Sequence, residues 1–324
     1  MTRFLLLLAL LLSLVSIATL AQTEEPMHYA ITQPANVSLT LDGTLTLPAN
    51  LTKPVPVVLL IAGSGPTDRD CNSALGLKSN AFKMLADSLN RMGIAVARYD
   101  KRYSGTNLMA AAKAIPVEKH RFDFYVADAV GFVRQLQADK RFSKVVVAGH
   151  SEGSLVGMLA TEQTKAAKYI SIAGAGRNIV DVMKEQGRTG GNPAKLQEEV
   201  DAALDSMRTG HTVQPRNPIL RTQLSEKNQP YLISWMKYDP AVEIKKLTVP
   251  VLLINGKHDF QVPVSEAERL KTARPDAKLV LFDTMNHILK NAPEGRAENM
   301  KTYNDPTLPL TPGLATAIAE FAKR

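Results

Sequence analysis

The sequence predicts an α/β fold on a mostly parallel sheet, from three observations. Short continuous apolar runs, such as 54–62 (PVPVVLLIA) and 249–255 (VPVLLIN), read as strands buried on both faces. Amphipathic stretches with helical spacing separate them. The strand–helix alternation repeats along the chain, which implies right-handed crossovers between parallel strands.

Residues 28–47 read as β structure: 37–41 alternates, Asp42-Gly43 is a hairpin turn signal, and 44–47 alternates again. The run 54–62 is a buried strand. The stretch 81–92 places Phe82, Leu85, Leu89 and Met92 on one helical face and stops at Gly93. A short strand follows at 94–98, then a helix over 122–137 with Phe122, Val126, Val130 and Val133 on one face. Residues 144–148 are a third buried strand, running straight into a glycine-rich turn and a helix from Glu152. Residues 169–173 are a fourth. The alternation then lapses, and about 177–247 reads as a small helical cap inserted into the domain. Its clearest helix is 193–207, with Asn192 as N-cap, Pro193 at the first position and Gly210 as the stop. Strands resume at 249–255 and 278–282, with helices at 263–272 and 314–322. Trp235, with Tyr231 and Tyr238, lies on one helical face where the insertion rejoins the core. That face suits either the wall of a substrate pocket or packing of the insertion.

Composition narrows the function classes. A chain of 324 residues, 45% hydrophobic and 22% charged, buries a large core without metal or disulfide staples. Cys71 is the single cysteine, so no internal disulfide forms. The net charge is +8, but the basic residues are scattered and make no arm for nucleic acid. Arg3 precedes an apolar run from Phe4 to Leu12, extended to Ala18, and Thr19-Leu20-Ala21 offers small residues at −3 and −1 before Gln22. This is the layout of a signal peptide over 1–21, which leaves a single domain over 22–324, a secreted or periplasmic location and no stable membrane insertion after cleavage. The competing reading of 4–20 is a retained transmembrane anchor.

The chemistry sits at Gly149-His150-Ser151-Glu152-Gly153, a G-x-S-x-G pattern between a buried strand and a helix. A sharp strand-to-helix turn exposes the serine in a strained conformation, and the flanking glycines avoid clashes with the tightly turned backbone. An acid and a histidine should follow in that chain order. Asp259 and His287 lie in loops after two successive strands, at the same carboxyl edge as Ser151. Ser151 is the candidate nucleophile, His287 the base and Asp259 the residue that orients it. His258 competes as base and Asp283 as acid. The oxyanion hole needs two backbone N–H donors. Glu152 supplies one, and Ser64, in the Gly63-Ser64-Gly65 loop, supplies the other, with Gly65 as the alternate. Asp68, Arg69 and Asp70, with Asp100, Lys101 and Arg102, read as a loop-bracing ion network such as Asp70 with Arg98 or Arg102, or else as recognition of substrate charge.

The stretches 61–70 (IAGSGPTDRD), 97–105 (ARYDKRYSG), 145–154 (VVVAGHSEGS), 238–240 (YDP) and 249–263 (VPVLLINGKHDFQVP) resemble the α/β-hydrolase superfamily, in its serine-aminopeptidase-like branch of bacterial esterases and acyl hydrolases. The resemblance implies an α/β-hydrolase fold: a mostly parallel eight-stranded sheet with helices on both faces and a variable cap. It puts the family's nucleophile, acid and base on Ser151, Asp259 and His287. It implies a serine hydrolase of carboxylic esters working through an acyl-enzyme. Peptidase, amidase and thioesterase chemistry are the alternatives on the same triad. The substrate is a small-molecule ester or acyl compound, and neither cofactor nor metal is required. Cys71, where the family suggests glycine, and Ala62, where many relatives carry histidine, are the departures.

Overall fold

The computed structural model describes residues 22–49 and 51–324. The expected signal peptide over 1–21 lies outside them. Eight strands form one sheet: β1 (Thr23–Ala30), β2 (Thr40–Leu47), β3 (Val55–Ile61), β4 (Ala95–Tyr99), β5 (Phe142–His150), β6 (Lys168–Ile172), β7 (Val251–Gly256) and β8 (Lys278–Phe282). Their spatial order is β1-β2-β4-β3-β5-β6-β7-β8. The pairings β1–β2 and β2–β4 are antiparallel, and every pairing from β4 to β8 is parallel.

The apolar runs explain the layering. Along β3, Val57, Leu59 and Ile61 enter one core, while Val58, Leu60 and Ala62 enter the other. Along β5, Val145 and Val147 likewise oppose Val146 and Ala148. A period of two that is apolar in both phases requires helices on both faces. Helices α1 (Ala81–Arg91) and α9 (Leu314–Lys323) cover one face through Phe82, Leu85, Leu89, Leu314 and Ile318. Helices α2 (Phe122–Ala138) and α3 (Glu152–Thr164) cover the other through Phe122, Val126, Val133 and Leu155. Each fully buried Val or Leu here contributes roughly 1.5–3 kcal/mol.

Between β6 and β7 the chain forms α4 (Ile179–Thr189), α5 (Ala194–Arg208), α6 (Pro218–Gln223) and α7 (Gln229–Trp235). Helix α5 starts one residue later than the sequence suggests, with Pro193 as N-cap. The Asn192 side chain instead donates to Gln197 Oε1 at 3.1 Å. After β7 comes α8 (Val264–Ala273). Trp235 stacks on Phe122 with ring centroids 5.5 Å apart and planes 6° apart, fixing the insertion to α2.

One expectation fails. Asp42-Gly43 is not a hairpin turn; both residues sit inside β2, paired with His28 and Met27 of β1. The reversal lies in 31–39. Gly43 is needed for a different reason: a Cβ there would lie 2.9 Å from the Arg98 carbonyl oxygen of β4, so glycine admits the neighbouring strand. The ribbon that pairs Asn72–Ser73 with Leu77–Lys78 is two residues long on each side, too short to leave an apolar alternation in the sequence.

Candidate active site

The carboxyl ends of β3, β5, β7 and β8 converge on Ser151. This residue links β5 to α3 at φ 55° and ψ −122°, a region L-residues rarely occupy. The turn is that sharp because α3 packs hard on the sheet. A Cβ on Gly149 would lie 1.9 Å from the Gly153 carbonyl oxygen, and one on Gly153 would lie 2.3 Å from that of Ile61. The Ser151 N–H donates to the Ile172 carbonyl at 3.0 Å, pinning the turn to β6.

The acid and base loops are laced together by their backbones. Lys257 N–H donates to Phe282 O at 2.9 Å and His258 N–H to Met285 O at 3.1 Å. Gly256 permits this: a Cβ there would lie 2.0 Å from Met285 O. Buried Asp259 then meets buried His287, with Oδ2 2.7 Å from Nδ1. Its other oxygen, Oδ1, accepts from the N–H groups of Gln261 at 2.8 Å and Val262 at 2.9 Å. Those donors fix the carboxylate's orientation, and an Nδ1–H donated to it leaves His287 Nε2 as the basic nitrogen. Ser151 and His287 line one cavity. Among the described residues no hydrogen bond within 3.5 Å joins them; such contacts tighten when substrate binds.

The competitors are engaged elsewhere. His258 Nδ1 lies 2.6 Å from the Ala292 carbonyl oxygen, and exposed Asp283 pairs with Lys257 at 2.6 Å. The Asp70–Arg98 pair forms at 2.8 Å, but Arg102 turns to Asp128 in a bidentate pair at 2.6 Å for both bonds. Arg69 reaches Asp100 at 2.6 Å.

The loop after β3 faces the elbow. A Cβ on Gly63 would lie 3.0 Å from Ser151 Cβ, so glycine lets the backbone approach Ser151. Among the described residues, neither the Ser64 N–H nor the Glu152 N–H is taken by a protein acceptor. Glu152 opens the 13-residue helix α3, whose positive end could stabilise negative charge beside Ser151.

Two cavities meet at Ser64, Ser151 and Gln261. One, of about 100 Å³, includes His287, Cys71, Leu77 and Tyr303 in its wall. The other, of about 250 Å³, includes Leu155, Ile179, Val182, Met183, Leu232 and Trp235. Cys71 sits at φ 65°, and burial pushes its thiol well above the ordinary range, so it is a wall group and not a second nucleophile.

Three side chains make contacts at the site that the sequence did not show, two of them, Lys101 and Tyr231, having been read there in other roles. His150 donates from Nε2 to the His287 carbonyl at 2.7 Å, tying the nucleophile's strand to the base's loop. Burial holds this ring neutral, with its pKa lowered to about 3. Lys101 donates to Gly63 O at 2.5 Å and to Glu152 Oε1 at 2.9 Å. Tyr231 donates to Glu152 Oε2 at 2.6 Å. His150 stands inside the G-x-S-x-G pattern, which was a usable signal. The other two meet only through the fold. Among the described residues, no group of three or more His, Cys, Asp or Glu side chains is placed to hold a metal ion, and no helix is long and apolar enough to cross a membrane.

The fold recurs in known proteins. Est1E from Butyrivibrio proteoclasticus, solved with ferulic acid bound, superposes with a TM-score of 0.56, covering 92% of this chain and 96% of its own at 16% identity. The Pyrococcus furiosus esterase Pf2001 gives a TM-score of 0.56 over 94% of each chain at 15% identity. The chain is an α/β-hydrolase-fold protein. Within this fold, residues 74–222 match the family model described as serine aminopeptidase, S33. This α/β-hydrolase-fold chain is also 30% identical to esterase EstD of Thermotoga maritima over 255 residues, which is 77% of this chain. It spans 58% of that esterase's own length.

Proposed function

We propose that this protein is a serine hydrolase that cleaves carboxylic esters through an acyl-enzyme, with Ser151, His287 and Asp259 as its triad. One observation carries the reading: a strained Ser151 stands where two cavities meet, beside an Asp259–His287 pair at 2.7 Å. The esterase relatives support it.

Ser151 Oγ attacks the ester carbonyl carbon while its proton passes to His287 Nε2. The carbonyl oxygen becomes an oxyanion held by the N–H groups of Ser64 and Glu152. As the intermediate collapses, His287 returns the proton to the departing alkoxide, which leaves as the alcohol. Water then attacks the acyl-Ser151, with His287 as base, and the carboxylic acid and free serine are regenerated. Asp259 stabilises the imidazolium in both halves.

The proton route assigns the cavities. The leaving alcohol must sit within reach of His287, hence in the smaller one. The acyl group occupies the larger one, under the helical insertion 177–247, which acts as a cap. An aminopeptidase would need a free carboxylate there for the substrate amine. The carboxylate in that wall, Glu152, is held by Lys101 and Tyr231. Arg177, in the same wall, is held by Glu266 and Glu185. The wall therefore favours an uncharged acyl group over a peptide terminus.

The test is a chain-length series of nitrophenyl esters assayed beside aminoacyl and peptidyl anilides. Esters should turn over, and Ser151→Ala should abolish it. Anilides turning over without esters would give the peptidase reading. The proposal includes cleavage after Ala21 and a secreted or periplasmic location, supported by the residue pattern of 1–21. A mature protein whose mass begins at Gln22 is the expected result; a retained Met1 would contradict it.

A further inference from the structure

The ester hydrolase reading gives no role to three buried side chains that meet beside Ser151: those of Lys101, Glu152 and Tyr231. Lys101 and Glu152 are each only 1% exposed at the side chain and pair at 2.9 Å. A buried ion pair is weak support for stability, because its desolvation cancels most of its attraction. What the pair does hold in place is backbone beside Ser151.

We propose that Lys101 is a positioning residue for the oxyanion hole, aligning both of its donors through Gly63 and Glu152, and that Tyr231 links this alignment to the cap. The proposal rests on the ester hydrolase reading.

The geometry of the peptide unit gives the reason. In a planar trans peptide the C=O and N–H point in opposite directions. The carbonyl of the Gly63–Ser64 peptide belongs to Gly63, and Lys101 Nζ holds it at 2.5 Å. The N–H of that same peptide belongs to Ser64, so it points away from Lys101, and Ser64 lines the cavity it shares with Ser151. If this peptide rotated, the cavity would receive a carbonyl oxygen in place of a donor, and the oxyanion would be repelled. The ammonium also polarises the peptide, which strengthens Ser64 N–H as a donor.

The second donor is tied to the same ammonium. Glu152 carries the other oxyanion N–H, and its side chain accepts from Lys101 through Oε1 and from Tyr231 through Oε2 at 2.6 Å. The ammonium also sits 4.7 Å from the centroid of the Tyr125 ring. Gly63 O, Glu152 and that ring face therefore account for its three N–H directions. Tyr231 belongs to α7 of the insertion and stacks on His120 at 5.1 Å with a 9° interplanar angle. A shift of α7 would thus be felt at Glu152.

The test compares the parent protein with Lys101→Met, Lys101→Met/Glu152→Gln and Tyr231→Phe, using a short nitrophenyl ester. Thermal midpoint, kcat and KM are measured, with affinities for a boronic acid transition-state analogue and for the product acid. Lys101→Met should lower kcat about 10²-fold, the scale of losing one oxyanion donor. KM should stay within about 3-fold, because the ground-state ester leans little on these donors. Affinity for the boronic acid should fall with kcat while affinity for the product acid holds. The double variant carries no unpaired buried charge, so it should regain thermal stability but not kcat. It also carries the test if Lys101→Met does not fold. Tyr231→Phe should lower kcat about 3- to 10-fold by the same signature. Recovery of kcat along with stability in the double variant would show a structural role only and overturn the proposal. So would equal losses of boronic acid and product affinity. Ester turnover in the parent with undiminished kcat in Lys101→Met overturns the positioning claim alone. No ester turnover in the parent overturns the underlying reading and this proposal with it.

Discussion

The two sides of the site are held by different means. On the nucleophile side, buried charged and polar side chains position the backbone: Lys101, Glu152 and Tyr231 converge beneath Ser64 and Ser151. On the acid–base side, backbone groups position a side chain: the N–H groups of Gln261 and Val262 hold Asp259, whose carboxylate in turn orients His287. The difference follows the chemistry. In the proposed mechanism the oxyanion is met by peptide N–H groups, whose direction is set by whatever grips the peptide. In that mechanism the proton is moved by an imidazole, whose direction is set by its acid. Damage on either side should therefore slow chemistry, but through different groups.

The largest effect should come from the acid. Asp259→Asn keeps the shape but allows the wrong imidazole tautomer, so kcat should fall about 10³- to 10⁴-fold with the thermal midpoint little changed. Steady-state kinetics beside a melt would show it, and a loss below 10-fold would remove Asp259 from the triad. Next comes the elbow. Gly153→Ala places a Cβ 2.3 Å from Ile61 O, backbone that cannot yield cheaply. It should cost at least about 3 kcal/mol in denaturant unfolding and lower activity with it. A smaller effect is expected under the insertion. Trp235→Ala opens the acyl cavity and removes the stack on Phe122. It should change kcat/KM for long acyl esters by about 10-fold while short esters change less; a uniform loss across chain lengths would assign Trp235 to packing alone. The smallest effect is at Asp283. It is exposed and, among the described residues, pairs with Lys257 at the surface, so Asp283→Asn should leave kcat and thermal midpoint unchanged.

The same contrast explains what was legible in the sequence. The central strands were readable because both faces are buried, which writes an unbroken apolar run such as 54–62. The triad candidates were readable because the motif and the carboxyl-edge rule leave few choices after Ser151. Asp42-Gly43 misled because the dipeptide that favours a turn also suits a strand pressed against the Arg98 carbonyl. The nucleophile-side network was not readable. Lys101 and Glu152 stand 51 residues apart, and only the adjacency of β3, β4 and β5 brings them together. Asp128 was hidden likewise: it lies on an apolar-faced helix, and nothing in the helical period marks it as the buried partner of Arg102.

The central claim is that Ser151 is the activated nucleophile. Labelling of the intact protein with a fluorophosphonate, followed by peptide mapping, tests it most directly. The account predicts one adduct per chain, on Ser151, and none in Ser151→Ala. Stoichiometric labelling that persists in Ser151→Ala, or that maps to another residue, would contradict it.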